Sequence, residues 1–176
     1  MPGLSIVKSL NNNNIVNQSL NLIKNWRLNI DSNSNGLTDD WENSWLQGGT
    51  TAAFSIDGVQ KIEITASPAA GIALTAFMPA NYISVQSGQK YILELYTKVS
   101  GNVTSFIGAD YFDSGKNYVD SIVGISISSA AYTRSYVAFT IPAAAAYITP
   151  KLIIVPDAVD NLGSGWYKNA VLRRTA

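Results

Sequence analysis

The chain has 176 residues, of which 14% are charged, with twelve basic against twelve acidic side chains and neither histidine nor cysteine. That length supports one sizeable core and is short for two, and the balanced charge offers no basic field for nucleic acid or an anionic membrane. Without histidine the usual general base is missing; without cysteine there are no thiolate nucleophiles, thiolate zinc sites or disulfides.

The first segment, residues 1–20, reads as an arm. MPGLSIVKSLNNNN has one lysine and a broken apolar run, unlike a secretory signal, and nowhere does the chain approach the roughly 18 consecutive apolar residues of a membrane span. The expectation is a complete chain that reaches the outside by another route, or one whose signal has been removed. SLNNNNIVNQSLNL gives neither strand alternation nor a continuous helical stripe, apart from a Val16, Leu20, Ile23 run. Ile6, Val7, Leu10, Ile15 and Val16 still need burial, which a neighbouring subunit supplies better than water does.

Residues 31–42, DSNSNGLTDDWE, carry an EF-hand order of oxygens: Asp31, Asn33 and Asn35 at positions 1, 3 and 5, Gly36 at 6, Leu37 at 7, Asp39 at 9 and Glu42 at 12. Calcium takes about six to eight hard oxygens. The expected ligands are the side chains of Asp31, Asn33, Asn35, Asp39 and Glu42 and the carbonyl of Leu37, with Gly36 permitting the bend. The same residues also serve as turn formers that satisfy their own backbone. The flanks lack helix signals, so a structural ion is expected rather than a sensor that opens a helix pair.

From residue 52 onward short alternating segments follow one another: AAFSID, VQKIEITA, GIALTAFM, YISV, KYILELYTKV, VTSFIGADYF, SIVGISIS, TRSYVAFTIP, YITPKLIIV and GWYKNAVLRR, separated by turn-like DG, SPAAG, PAN, SGQ, SGN, DSGKN, SSAA and NLGSG. Strands at roughly 8 to 12 residue spacing predict an all-β antiparallel sandwich or jelly roll with little helix. Period-two alternation then sorts the faces. Tyr91, Leu93, Leu95 and Val99 share one face and Glu94, Tyr96 and Lys98 the other; Val137, Phe139 and Ile141 point inward, leaving Tyr132, Arg134 and Tyr136 outward.

In their order these pieces resemble the jelly-roll carbohydrate-binding modules appended to bacterial glycoside hydrolases and found in phage virion proteins. The resemblance rests on NLIKNWRLNIDSNSNGLTDDWE, the DG turn into VQKIEITA, VQSGQKYILELYTKV, the YFDSGK hairpin, YVAFTIPAAAAYITPKLII and the closing GWYKNAVLRR, and covers about residues 21–174. The closing strand has Lys168 and Asn169 where the family usually carries Asp, which removes support for a second calcium, and residues 1–20 have no counterpart. The division expected is therefore an arm, 1–20, and a sandwich, 21–176.

The resemblance implies non-catalytic sugar binding, in which pyranose C–H faces stack on aromatic rings and flanking polar groups bond the hydroxyls. Tyr96, Tyr132 and Tyr136, with Glu94 and Arg134, form the expected platform, with Trp45 a further option and Trp26, Trp41 and Trp166 assigned in or beside the core. The setting expected is a virion surface, as a head decoration protein or tail adhesin, with residues 1–20 docking on virion subunits or on copies of the same chain and a cell-surface glycan as ligand. The alternative is the glycan-binding module of a secreted polysaccharide hydrolase. An enzyme would need two carboxylates at one cleft, and Glu63, Glu94, Asp110, Asp113 and Asp120 are scattered along the chain.

Overall fold

The computed structural model describes residues 21–46, 48–67, 76–79 and 82–175; the arm, residues 1–20, lies outside the described residues. Among the described residues there is no helix, and so none long and apolar enough to cross a membrane. The strands are β1 (Trp41–Trp45), β2 (Thr51–Ile56), β3 (Gln60–Ala66), β4 (Ala76–Pro79), β5 (Ile83–Ser84), β6 (Lys90–Gly101), β7 (Val103–Phe112), β8 (Tyr118–Val123), β9 (Thr133–Thr140), β10 (Tyr147–Pro156) and β11 (Gly163–Arg174).

They form two antiparallel sheets. One has the order β1-β4-β10-β7-β8, with β5 also on β10; the other has the order β2-β3-β11-β6-β9. The expected sandwich is therefore the architecture observed. β1 was not anticipated, because its residues fall at the exit of the 31–42 loop, and β8 lies earlier than the SIVGISIS segment suggests. Only an isolated bridge between Ser105 and Ile127 remains of that segment's second half.

The core lies between the sheets. Leu93 and Leu95 of β6, Ile62 of β3, Tyr167 and Leu172 of β11, Ile107 of β7 and Ile148, Leu152 and Ile154 of β10 are fully buried and pack as one cluster. Each such side chain stabilises by about 1.5–3 kcal/mol on removal from water. A chain of hydroxyls crosses this apolar layer: Ser105 Oγ donates to Tyr167 Oη at 2.9 Å, Tyr167 Oη donates to the Ile153 carbonyl at 3.1 Å, and Thr97 Oγ1 lies 3.1 Å from Ser105 Oγ. Satisfying these groups internally is what makes their burial tolerable.

The start of the described chain is bound to its end. Asn21 donates from Nδ2 to the Ala170 carbonyl at 3.0 Å and accepts from the Leu172 amide at 3.0 Å; the Leu22 amide donates to Leu172 O and the Ala170 amide to Trp26 O. These contacts sit where β11 bulges between Lys168 and Val171, past the residues that β3 covers.

Candidate functional site

The 31–42 loop is closed by its own side chains. Asp31 accepts from the amides of Asn35 and Gly36, Asn33 from Asn35, Asn35 from Leu37, and Asp39 from Ser32, at 2.8 to 3.2 Å. Gly36 adopts a φ of +83°, and a Cβ there would stand 2.2 Å from the Phe54 carbonyl oxygen, so no other residue fits without displacing β2. Sequence reasoning missed the residue that docks the loop. Gln60, 1% exposed, accepts from the Thr38 amide at 2.8 Å and donates to the carbonyls of Gly36 and Lys61 at 3.0 Å. A lone glutamine whose partners are backbone groups of other segments leaves no local pattern to read.

The loop's fit to calcium rests on this geometry and on donor chemistry. Four of the six anticipated ligands turn side-chain oxygens toward amides of one short loop, and each oxygen keeps a further lone pair for a hard cation. Glu42 stands on β1 and is exposed. Among the described residues no three Asp, Glu, His or Cys side chains converge, so the asparagines and the Leu37 carbonyl are needed to complete a shell.

The expected glycan residues lie on the outer face of the β2-β3-β11-β6-β9 sheet. Register pairs Glu94 with Tyr136 and Tyr96 with Arg134 across β6 and β9, so all four share one face, and Tyr132 immediately precedes β9. Tyr96 is 42% and Tyr136 41% exposed, which leaves ring area open to a ligand. Arg134 Nε donates to Glu94 Oε2 at 3.0 Å, while its guanidinium carbon lies 4.8 Å from the Tyr136 ring centroid. Hydrogen bonding to Glu94, and then that carboxylate's charge, raises the Arg134 pKa further above its ordinary value. The five residues expected to form a platform are thus brought together.

Trp166 corrects the sequence reading. It is half-buried on this outer face rather than in the core, because Tyr167, its neighbour on β11, takes the inward position. Its indole Nε1 donates to Asp57 at 3.1 Å, and the ammonium groups of Lys98 and Lys61 lie 4.8 and 5.5 Å from its ring. Alternation through GWYKN would have found it; tryptophan's bulk argued the other way. Trp41 is buried as expected, Trp26 is exposed, and the side chain of Trp45 lies outside the described set.

The other sheet's outer face is built differently. Asp110 of β7 and Lys151 of β10 form an ion pair at 2.5 Å whose side chains are only 16% and 14% exposed. Near one end Tyr82, Phe112, Tyr118 and Tyr147 pack edge to face, with Tyr82 and Phe112 centroids 4.9 Å apart, and Lys116 lies over Tyr82 at 4.8 Å. These residues had not been assigned a role from sequence.

No protein-family model matches the chain, and no curated protein matches it in sequence. Solved structures do. A family 4 carbohydrate-binding module aligns over 87% of this chain and 99% of its own, with 15% identity and a TM-score of 0.56. The fold is that of a jelly-roll carbohydrate-binding module. The enzymatically active domain of tailspike protein 4 of bacteriophage CBA120 aligns over 89% of this chain with 18% identity and a TM-score of 0.56; the chain spans 22% of that protein's length.

Proposed function

We propose that this chain is a non-catalytic glycan-binding module that holds its ligand on the outer face of β6, β9 and β11. The observation that carries the reading is the convergence of exposed Tyr96 and Tyr136 with Tyr132, Glu94, Arg134 and Trp166 on one sheet face. Rings supply stacking area and the flanking charges supply hydroxyl partners, without a deep pocket. Catalysis by paired carboxylates finds no support in the placement of the acids. Glu63 is level with Ser100, six positions along β6 from Glu94, and the β7–β8 register puts Asp110 and Asp120 of the other sheet on opposite faces.

The setting we favour is a virion surface, as a head decoration protein or tail adhesin docked through residues 1–20 on virion subunits or on its own copies. Fold likeness to a tailspike supports it. A secreted hydrolase's binding module is the alternative, favoured by the likeness to the family 4 module over that module's whole length. Removal of residues 1–20 distinguishes them: a virion component folds without the arm and fails to assemble into its particle, whereas a detached module keeps all its properties.

In this reading Asp31, Asn33, Asn35, Asp39, Glu42 and the Leu37 carbonyl hold one structural calcium ion, which ties the first described residues to the sandwich. A hundredfold excess over Kd stabilises by roughly 2.7 kcal/mol; a melting midpoint indifferent to calcium and chelator would refute it.

Calorimetry of the intact protein against neutral and acidic oligosaccharides tests the site. Tyr96→Ala with Tyr136→Ala should abolish binding. A second location is favoured by Tyr82 and Tyr118, 38% and 61% exposed at the other sheet, and loss of binding in Tyr82→Ala with Tyr118→Ala instead would move the site there.

A further inference from the structure

The lysines of the β6–β11 face carry more than the reading above uses. Lys98 and Lys168 both bring their ammonium groups to the ring of Tyr132, at 5.1 and 3.7 Å from its centroid, and Lys98 also approaches Trp166 at 4.8 Å. The neighbouring cations are paired: Lys61 with Glu63 at 2.6 Å, and Arg134 with Glu94. Lys98 and Lys168 have no carboxylate within ion-pair distance among the described residues. Asp57 receives the Trp166 indole N–H, and its charge, after burial, helps raise the phenol pKa of Tyr132. Two half-buried ammoniums without ion-pair partners therefore share one aromatic ring.

Stacking of a neutral pyranose needs a bare ring face, and an ammonium 3.7 Å from the Tyr132 centroid occupies one. An anion bonded to both lysines supplies the counter-charge they lack and draws the ammonium off the ring. We propose that the ligand of this face is an acidic glycan, whose carboxylate or sulfate sits between Lys98 and Lys168 while its sugar rings rest on Tyr132 and Trp166. This rests on the glycan-binding reading and names its substrate class.

The test uses the full chain and two matched probe pairs: oligogalacturonate against its methyl ester, and dextran sulfate against dextran. Binding of the oligogalacturonate alone identifies the anion as carboxylate, and binding of dextran sulfate alone as sulfate. K98Q/K168Q should weaken the charged probe about tenfold or more, the worth of charge-assisted hydrogen bonds, while K98R/K168R and the charge-matched control K24Q/K90Q retain it. Equal loss in K98Q/K168Q and K24Q/K90Q would show general polyelectrolyte attraction and overturn the proposal. Equal binding of the ester or of dextran would overturn it while leaving glycan binding intact. Failure of all four probes overturns it as well, and a neutral oligosaccharide bound in their place preserves the glycan-binding reading, whereas no bound glycan removes both.

Discussion

Each sheet of the sandwich carries a cross-strand ion pair on its outer face, and the two pairs live in different surroundings. Glu94 and Arg134 join β6 to β9 with side chains 22% and 45% exposed; Asp110 and Lys151 join β7 to β10 at 16% and 14%. Around the first pair, β6 alternates buried with wet positions along most of its length. Around the second, β10 is buried at Ile148, Thr149 and Pro150 and again at Leu152, Ile153 and Ile154, so both of its faces are covered. The same motif is a solvated contact on one sheet and a desolvated one on the other. On the first face the exposed rings, Tyr96 and Tyr136, stand among charges at the ion pair itself; on the second the ion pair is sealed and the exposed rings, Tyr82 and Tyr118, stand toward one end.

The sharpest break runs through adjacent residues of β11. Tyr167→Ala should cost about 3–5 kcal/mol by denaturant unfolding, because it opens a cavity at a fully buried position, whereas Trp166→Ala on the outer face should cost far less. Tyr167→Phe should cost about 1–3 kcal/mol by leaving the Ile153 carbonyl unsatisfied. If both tyrosine variants are neutral, the hydroxyl chain is not structural.

Alkaline pH probes the same residue. Burial raises the phenol pKa of Tyr167, and burial with Asp120's charge raises that of Tyr111, both above the ordinary 10. Their contribution is complete below pH 10 and declines above it, as the unfolded chain ionises phenols that the folded chain keeps neutral. Denaturant midpoints measured across pH 10 should fall, and less steeply in Tyr167→Phe.

The two ion pairs can be set against each other directly. Asp110→Asn leaves Lys151 half-sealed without its counter-charge and should cost about 2–3 kcal/mol, while Glu94→Gln should cost no more than about 1 kcal/mol. Equal costs would mean that the sealed face is wetter than its geometry implies. Smallest of all, Tyr96→Ala and Tyr136→Ala should each leave stability within about 1 kcal/mol while lowering glycan affinity; large destabilisation would make them packing residues.

The same contrast explains what could be read from sequence. Where one face is wet, period two is visible: Tyr91, Leu93, Leu95 and Val99 are buried as alternation requires, and Tyr96, Arg134 and Tyr136 are outside. On β10 both faces must be apolar, so YITPKLIIV announces a strand but not its orientation. Trp166, expected in or beside the core, stands on the outer face because its place in the alternation with Tyr167 decides its side. β1 and Gln60 were missed because long-range pairing and backbone partners distant in sequence leave no periodic mark.

The seam between Asn21 and β11 has a mechanical side. Leu22 meets Leu172 and Trp26 meets Ala170, so the two segments run antiparallel, with the asparagine side chain clamped at the entry point. Tension applied at Asn21 enters the sandwich at that clamp and loads the 21–26 seam. β11 receives it at Ala170 and Leu172, beyond the Gly163–Tyr167 stretch that β3 covers, where its sheet partner is β6. A pull from that end therefore peels the 21–26 segment as an edge before it loads the β6–β11 ladder.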